Sequence, residues 1–495
     1  MTRHPKLLAL TAGLISAIGF APLNLWPVTL FAGWLIISLT RDAPNLRGAL
    51  ARGYWFGFGN FVIGLNWIAG AFRFQETMPT WLGYVAVVAL AFYLAVYPAM
   101  AAGVAWRGRR QPVAFVLFFA FAWVLTEYLR ATMFTGFAWN PIGMIWLTTP
   151  VAGFARWIGT YGLSGLVMLV AGLAMLVWHD RRRLWPYGAG TLVALPLVGW
   201  LITVSDPGTT TRQIRVVQAN IGQAVKQDPA YDARNFQALT RLTGPPGATP
   251  RLILWPEAAV PYFLEEERWA RERIAKLMGP NDVIMTGGDA LVYNDKGDVT
   301  AASNSLFAMT ADAKLIARYD KSHLVPYGEY LPMRPILSAI GLSRLVPGDL
   351  DFLPGPGPLS YPLPGFGKIG VQICYEIIFS GQVVDSAHRP DFLFNPSNDA
   401  WFGAWGPPQH LAQARMRALE EGMPIVRATP TGISAVIDAN GRIVTALPMG
   451  KAGFIKTTIP AVISPTPFAR YGNILSIAFA FFLGLTGVAI GWRRR

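Results

Sequence analysis

Long apolar segments constrain this chain more than any other feature, because about 20 consecutive apolar residues form a helix that can cross a lipid bilayer. The chain has 495 residues, of which 53% are hydrophobic and only 14% are charged. That composition is too apolar for an ordinary soluble protein and predicts an α-helical membrane bundle. The sequence predicts about eight spans, at residues 7–23, 26–40, 53–72, 81–105, 112–129, 160–179, 186–204 and 473–492.

Basic residues between these spans predict the side of the membrane on which each loop lies. With eight spans, fourteen arginine and lysine residues fall on one side and three fall on the other. Positively charged loops remain in the cytoplasm, so both termini are expected there. The net charge of +14 belongs to this pattern, because residues 205–470 contain 25 basic and 24 acidic residues. No basic face with groove-reading elements is evident, so nucleic-acid binding is not predicted.

The segment between the last two spans has the pattern of a separate folded domain. It alternates short β-type runs with helical stretches, which predicts a layered α/β architecture. Its residues 345–364 are rich in proline and glycine and predict a long loop over a site. The predicted organisation has three parts: a seven-span bundle at residues 1–204, an extracytoplasmic domain at 205–472, and an eighth helix with a basic cytoplasmic tail at 473–495.

Cys374 is the single cysteine of the chain, and it follows an apolar β-type run at residues 368–373. A strand end is a place where a rigid scaffold can hold a nucleophile in a cleft. The alternative interpretation is a small buried hydrophobic residue, which is the usual environment of a free cysteine. One cysteine excludes an intrachain disulfide and a cysteine-based zinc site. The sequence contains no sign of a metal or an organic cofactor.

Two further charged residues follow short apolar runs and complete a chemically sensible set. Glu257 ends the stretch Leu-Trp-Pro-Glu, and Lys321 lies in a polar turn at residues 319–326. At one edge of a sheet, a glutamate can act as general base for a cysteine nucleophile. The ammonium of a lysine can lower the thiol pKa and stabilise an oxyanion. His323 is an alternative base, but no third group that would orient it is evident.

The motifs around these residues resemble a known superfamily. Glu257 in Trp-Pro-Glu, Lys321 in Tyr-Asp-Lys-Ser-His-Leu-Val-Pro-Tyr-Gly-Glu and Cys374 in Ile-Cys-Tyr-Glu resemble the Glu-Lys-Cys triad of the nitrilase (carbon-nitrogen hydrolase) superfamily. The eight spans, and the segments at residues 397–403 and 413–420, resemble its apolipoprotein N-acyltransferase branch. The resemblance implies a nitrilase-like αββα sandwich for the domain between the last two spans.

The resemblance also implies residues that support the triad or contact substrate. Three positions match family positions beside the triad, although each is alternatively a hydrogen-bonded structural residue: Glu329, Tyr375 and Glu376. Three further residues are predicted substrate contacts: Asn398, Trp401 and Trp139. The chain departs from the family at Gln227, where the family often has a tryptophan after a lysine.

The activity that the resemblance implies is an acyl transfer on the periplasmic side of a bacterial inner membrane. A phospholipid, typically phosphatidylethanolamine, would acylate Cys374 as a thioester. The acyl group would then pass to the α-amine of the S-diacylglyceryl cysteine that begins an apolipoprotein. Glu257 would be the base in both steps, and Lys321 would stabilise the oxyanion.

Two other functions are consistent with the sequence. The first is a membrane-anchored amidase with the same triad that releases the acyl group to water, although simple anchoring needs only one span. The second is a transporter or lipid-binding scaffold whose α/β domain is inactive. The absence of paired intramembrane charges and of an evident internal repeat disfavours transport.

Overall fold

The computed structural model of the chain describes residues 3–74, 78–203, 206–226, 228–339, 345 and 351–492. Gln227, the predicted boundary at residues 204 and 205, and the terminal arginines at 493–495 lie outside the described residues. Residues 346–350 of the predicted loop at 345–364 also lie outside them, and part of the remainder, Ser360–Leu363, is a β-strand.

The amino-terminal region is a bundle of helices, and a further helix follows the α/β domain. Each of the eight predicted spans contains helix. The bundle helices are α1 (Pro5–Ser16), α2 (Trp26–Arg41), α3 (Leu46–Gly64), α4 (Leu82–Leu94), α5 (Val96–Trp106), α6 (Pro112–Thr132), α7 (Ala155–His179), α8 (Arg181–Leu201) and, at the carboxyl end, α15 (Ile474–Trp492). Only Ala95 separates α4 from α5, and Pro98 in the first turn of α5 cannot donate a helical hydrogen bond.

Five stretches in the described part of the chain are long and apolar enough to cross a membrane: Leu82–Trp106, Pro112–Thr132, Pro150–His179, Arg181–Leu201 and Ile474–Trp492. The first three predicted spans differ from these. Helices α1 and α2 have only 12 and 16 residues, and α3 carries Arg47 and Arg52 within its apolar sequence. The predicted number of eight spans is therefore approximate, although all eight segments are helical.

Glycine allows α1 and α3 to approach until their backbones touch. A Cβ atom on Gly13 would lie 2.0 Å from the carbonyl oxygen of Phe56. A Cβ atom on Gly59 would lie 2.5 Å from the carbonyl oxygen of Leu10. Small residues at such contacts are typical of membrane helices, which associate through close van der Waals packing rather than through the hydrophobic effect.

The α/β domain contains two six-stranded sheets. The first has the order β12-β1-β2-β3-β4-β5 and the second has the order β11-β10-β9-β8-β7-β6. The strands are β1 (Thr209–Gln218), β2 (Arg251–Leu254), β3 (Val283–Tyr293), β4 (Val299–Thr310), β5 (Leu315–Asp320), β6 (Ser360–Leu363), β7 (Gly367–Val371), β8 (Phe392–Pro396), β9 (Ile425–Ala428), β10 (Ser434–Ile437), β11 (Ile443–Leu447) and β12 (Gly453–Pro460). The domain helices are α9 (Gln223–Lys226), α10 (Asp232–Thr243), α11 (Arg268–Ala275), α12 (Arg334–Ala339), α13 (Gly406–Glu421) and α14 (Pro467–Tyr471).

The two sheets pack face to face with helices on their outer faces. On β1, Ile214 and Val216 belong to one core cluster with Val371 and Phe394 of the second sheet. The intervening residue Val217 faces the other way and packs with α10 and α11. This alternation follows from the two-residue period of a strand. The arrangement confirms the predicted αββα sandwich.

Helix α13 lies between the second sheet and the membrane bundle. Its Ala414 and Ala418 pack in the core of the sandwich, whereas Met416 and Leu419 pack in the core of the bundle. Buried polar groups accompany this contact. Glu420 Oε1 accepts hydrogen bonds from the backbone N–H of Thr160 on α7 at 2.7 Å and from its hydroxyl at 2.6 Å. The bundle and the domain therefore share one continuous interior at this helix.

We expect Gly13→Ala to lower the stability of the bundle, because the added methyl group would collide with the Phe56 carbonyl oxygen. Overpacking of this kind costs about 1–3 kcal/mol. Gly190→Ala on α8 is the matched control, since nothing lies within 4 Å of its added carbon. Both changes bring the same gain in helix propensity, about 1 kcal/mol. Thermal unfolding in one detergent should give a lower midpoint for Gly13→Ala only. Equal midpoints would contradict the backbone contact between α1 and α3.

Candidate active site

Cys374 lies where the chain leaves β7 and begins a short 3₁₀ helix, Cys374–Ile378. Its φ angle is +52°, a left-handed conformation that costs a non-glycine residue about 1–3 kcal/mol. Its backbone carbonyl is held by two side chains, because it accepts from His410 Nε2 at 3.0 Å and from Asn395 Nδ2 at 3.3 Å. The surroundings therefore fix the nucleophile in a strained but defined position.

His410 acts here through Cys374's carbonyl and not through its sulfur. Because a carbonyl oxygen only accepts, Nε2 of His410 carries the proton. Its Nδ1 faces Asp399 at 2.9 Å and Arg427 Nη2 at 3.0 Å. Burial and the Arg427 guanidinium hold the pKa of His410 below its ordinary value. This histidine is a positioning residue on α13 that braces the loop carrying the nucleophile.

Glu376 organises the other side of the nucleophile loop. One of its oxygens accepts from the backbone N–H groups of Ser322 and His323, at 2.7 and 3.0 Å. The other oxygen accepts from the backbone N–H of Ile373 at 2.7 Å. The Tyr319 hydroxyl donates to the same carboxylate at 2.9 Å. Glu376 therefore ties the cysteine loop to the lysine turn.

Lys321 lies between two carboxylates. Its Nζ is 2.8 Å from Glu329 Oε1 and 3.6 Å from Glu257 Oε1. Asn304 on β4 bridges the same oxygens, because its Nδ2 donates to Glu257 at 2.8 Å and to Glu329 at 3.0 Å. Burial alone would lower the pKa of Lys321, but Glu329 and Glu257 outweigh burial and raise it above the ordinary value. The lysine is therefore a permanent cation, which suits it to stabilise an oxyanion.

The thiol is protonated in the resting protein. Burial raises the pKa of Cys374 well above its ordinary value, and the Glu257 carboxylate raises it further. The Lys321 ammonium and the backbone N–H of Asn398 lower it by less. The sequence predicts that the lysine lowers the thiol pKa. Lys321 does lower it, but burial and Glu257 outweigh the lysine, so the net shift is upward. A base must remove the proton when the sulfur attacks, and Glu257 has one buried oxygen, Oε2, without a hydrogen-bond partner among the residues that the structure describes.

The triad lines a cavity of about 1140 Å³ whose wall comes from both the bundle and the α/β domain. Most of its lining is apolar, and the contributing bundle residues include Ile68, Leu82, Leu90 and Phe134. Ligand pockets for small molecules are usually about 300–1,000 Å³. The volume and the apolar wall therefore suit a ligand with long hydrocarbon chains.

The structure places the other predicted residues at different distances from this cavity. Tyr375 lines it, and its hydroxyl lies 3.5 Å from the Gly136 carbonyl oxygen in the bundle. Asn398 and Trp401 also line it. Trp139 is fully buried behind the wall, where its Nε1 donates to Gln409 at 2.7 Å. Its surroundings explain a packing role and do not bring it into contact with the cavity.

His323 faces away from the thiol. Its Nε2 lies 2.9 Å from the carbonyl oxygen of Thr135, and its ring packs on Phe379 with centroids 3.9 Å apart. Burial lowers the pKa of His323. The geometry therefore favours Glu257 over His323 as the base.

Sequence reasoning missed three residues that hold the triad: Asn304, Asn395 and His410. Asn304 and Asn395 lie within strands, where asparagine is disfavoured, and this was the available signal. His410 has no comparable signal, because histidine is not unusual in a helix and only the fold shows that α13 is buried on two sides. Among the described residues, no group of three or more His, Cys, Asp or Glu side chains could hold a metal ion.

Comparisons with known proteins cover nearly the whole chain. Residues 12–173 match the family described as the apolipoprotein N-acyltransferase N-terminal domain, and residues 213–468 match the carbon-nitrogen hydrolase family. A solved amidase from Nesterenkonia sp. is 16% identical over 52% of this chain and 92% of that chain. Its TM-score of 0.35 is too low to support an inference.

Curated proteins named apolipoprotein N-acyltransferase are similar from end to end. The proteins from Rhodopseudomonas palustris and Bradyrhizobium diazoefficiens are each 36% identical, over 94% of this chain and 91% of their own length. The protein from Caulobacter vibrioides is 36% identical over 98% of this chain and 94% of its own length. Because both regions match in order and these relatives align across almost the whole sequence, the chain belongs to the apolipoprotein N-acyltransferase family.

Proposed function

We propose that this protein transfers an acyl chain from a phospholipid to the α-amine of the S-diacylglyceryl cysteine of an apolipoprotein. The observation that carries the proposal is the cavity, because one apolar space contacts membrane helices on one side and Cys374, Glu257 and Lys321 on the other. Membrane lipid can reach such a site without leaving apolar surroundings. The names of the full-length relatives support the same activity.

In the first half-reaction Cys374 accepts the acyl chain. Glu257 takes the thiol proton as the sulfur attacks the ester carbonyl of the phospholipid. Negative charge develops on the carbonyl oxygen beside the Lys321 ammonium. The ester C–O bond then breaks, and protonated Glu257 gives its proton to the departing lysophospholipid oxygen. The products are a thioester on Cys374 and a lysophospholipid.

In the second half-reaction the acceptor amine attacks the thioester carbonyl. Glu257 takes a proton from the attacking nitrogen, and Lys321 again faces the oxyanion. The C–S bond breaks, and the proton on Glu257 returns to the departing sulfur. The product is an amide, and the resting thiol is restored, so the two substrates react in turn at one cysteine.

The same triad could deliver the acyl group to water, as in the amidase alternative. The relatives named as acyltransferases do not favour that alternative. The apolar cavity wall also disfavours it, because exclusion of water protects a reactive intermediate from hydrolysis.

We further propose the placement of the chain in the cell. It is a bacterial inner-membrane protein with the α/β domain, residues 205–472, on the periplasmic side and both termini in the cytoplasm. The excess of basic residues in the loops on one side supports this orientation. Phosphatidylethanolamine is the proposed donor, because the resemblance to the family implies it.

Incubation of the purified protein with phospholipid should add the mass of one acyl chain to the intact chain. The Cys374→Ala variant should gain no mass, because it lacks the single thiol. A diacylated lipopeptide should discharge the adduct much faster than water does. Loss of the adduct at the same rate without lipopeptide would favour the amidase. No adduct in the wild type would leave the inactive-scaffold function standing.

Replacement of Glu257 by glutamine should slow thioester formation about 10²–10⁴-fold, the usual contribution of a general base. The loss should be large because the buried thiol holds little thiolate in reserve. Glu272→Gln is the matched control, since Glu272 is an exposed residue of α11 that pairs with exposed Arg268. Release of lysophospholipid measures the rate. A Glu257→Gln rate within about twofold of the wild type would exclude this carboxylate as the base.

A further inference from the structure

Asp289 is a cavity carboxylate that the two half-reactions above do not use. It lies on β3 directly opposite Asn304 on β4 in the antiparallel register. Directly opposite side chains in a sheet lie on the same face, with Cβ atoms about 4.5–5.5 Å apart. Asn304 is the residue that bridges Glu257 and Glu329. Asp289 therefore borders the catalytic carboxylates and lines the same cavity.

No side chain in the described part of the protein forms a hydrogen bond or a close ion pair with the Asp289 carboxylate. The charged groups that face it are Lys226 of α9, Glu257 after β2 and Glu329 after β5. Lys226 is itself engaged, because its Nζ donates to the backbone carbonyl of Glu257 at 3.1 Å. Burial raises the pKa of Asp289 to about 6, Lys226 opposes this shift, and the two glutamates add to it.

The charged groups of the cluster around Asp289, namely Glu257, Glu329, Lys226 and Lys321 together with Asp289 itself, do not balance. Glu257, Asp289 and Glu329 bring three carboxyl groups, and Lys226 and Lys321 bring two amino groups, of which burial lowers the pKa of Lys226. The thiol adds no charge, because it is protonated at rest. An uncompensated charge in apolar surroundings is unfavourable. One ligand cation beside Asp289 would bring the cluster to neutrality.

We propose that Asp289 forms a subsite for a primary ammonium group, an inference that rests on the proposed acyltransferase function. An ammonium offers three N–H donors, and a charge-assisted hydrogen bond to a carboxylate is stronger than a neutral one. Two substrates of the reaction can supply this group. One is the α-ammonium of the acceptor cysteine, and the other is the ethanolamine ammonium of the donor head group.

If the acceptor cysteine supplies the ammonium, Asp289 also has a role in removing a proton from it. An acceptor that arrives as an ammonium must lose one proton to become a nucleophile and a second as the amide forms. Glu257 takes the second proton and returns it to the sulfur of Cys374. Asp289 is placed to take the first proton from the nitrogen and release it to solvent, which leaves Glu257 free for the attack.

The test measures each half-reaction separately in the full-length wild type and in Asp289→Asn. Cys374 is acylated from phosphatidylethanolamine or from phosphatidylglycerol, which has no ammonium, and the thioester is then discharged by a diacylated lipopeptide. Acylation from phosphatidylglycerol should be the same in both proteins, which shows that the variant folds and that its triad works. Asp289→Glu should retain most of the lost function, and Asp295→Asn, in the β3–β4 turn, is the surface control.

The two sources give different results. If the acceptor supplies the ammonium, Asp289→Asn raises the KM for lipopeptide about tenfold or more and leaves both donors unaffected. If the donor supplies it, the variant loses the preference for phosphatidylethanolamine over phosphatidylglycerol, and discharge is unaffected. Unchanged behaviour in both half-reactions, or equal loss with phosphatidylglycerol, would overturn the ammonium subsite. A wild type that forms no thioester would instead refute the proposed function, and the subsite would fall with it.

Discussion

The ion pairs of Lys321 are the interaction on which the rest of this site depends. An isolated ionised carboxylate is very costly in apolar surroundings. Here Lys321 lies 2.8 Å from Glu329 and 3.6 Å from Glu257, and all three side chains are buried. Removal of one member of such a buried pair typically costs about 3–5 kcal/mol, because it leaves the other charge uncompensated. The ammonium thus allows the Glu257 carboxylate, the proposed base, to persist in a cavity that is otherwise suited to hydrocarbon.

Helix α13 connects this chemistry to the membrane part of the protein. One of its residues, His410, holds the carbonyl of Cys374. Three turns later on the same helix, Glu420 bonds to Thr160 of α7 and pairs with Arg417 at 3.0 Å. A rigid helix therefore fixes the strained nucleophile loop relative to the bundle. This coupling matters because the cavity wall is built from both parts, so a shift between them would separate the acyl chain from the sulfur.

The sequence predicted the parts of this protein that depend on local pattern. Apolar length indicated the bundle helices, strand alternation indicated the sandwich, and strand ends indicated Glu257, Lys321 and Cys374. The sequence did not predict the properties that arise from tertiary contacts. The protonation of the thiol depends on burial and on Glu257, which comes from a strand of the other sheet. Trp139 was a predicted substrate contact, and only the fold shows that it packs against Trp67 and His410.

The protonation of the resting thiol affects the reactivity of the enzyme between substrates. A permanent thiolate in this cavity would add a second excess negative charge beside Glu257, Asp289 and Glu329, which the apolar wall could not solvate. In the proposed mechanism a neutral thiol avoids that charge and becomes nucleophilic only when an ester carbonyl is present to receive the electrons and Glu257 can take the proton. Reactivity is thereby confined to the moment when lipid fills the cavity. The unfavourable burial of charge also bears on the thioester. Because the thioester lacks the negative charge of a thiolate, the apolar cavity can accommodate it until an amine arrives.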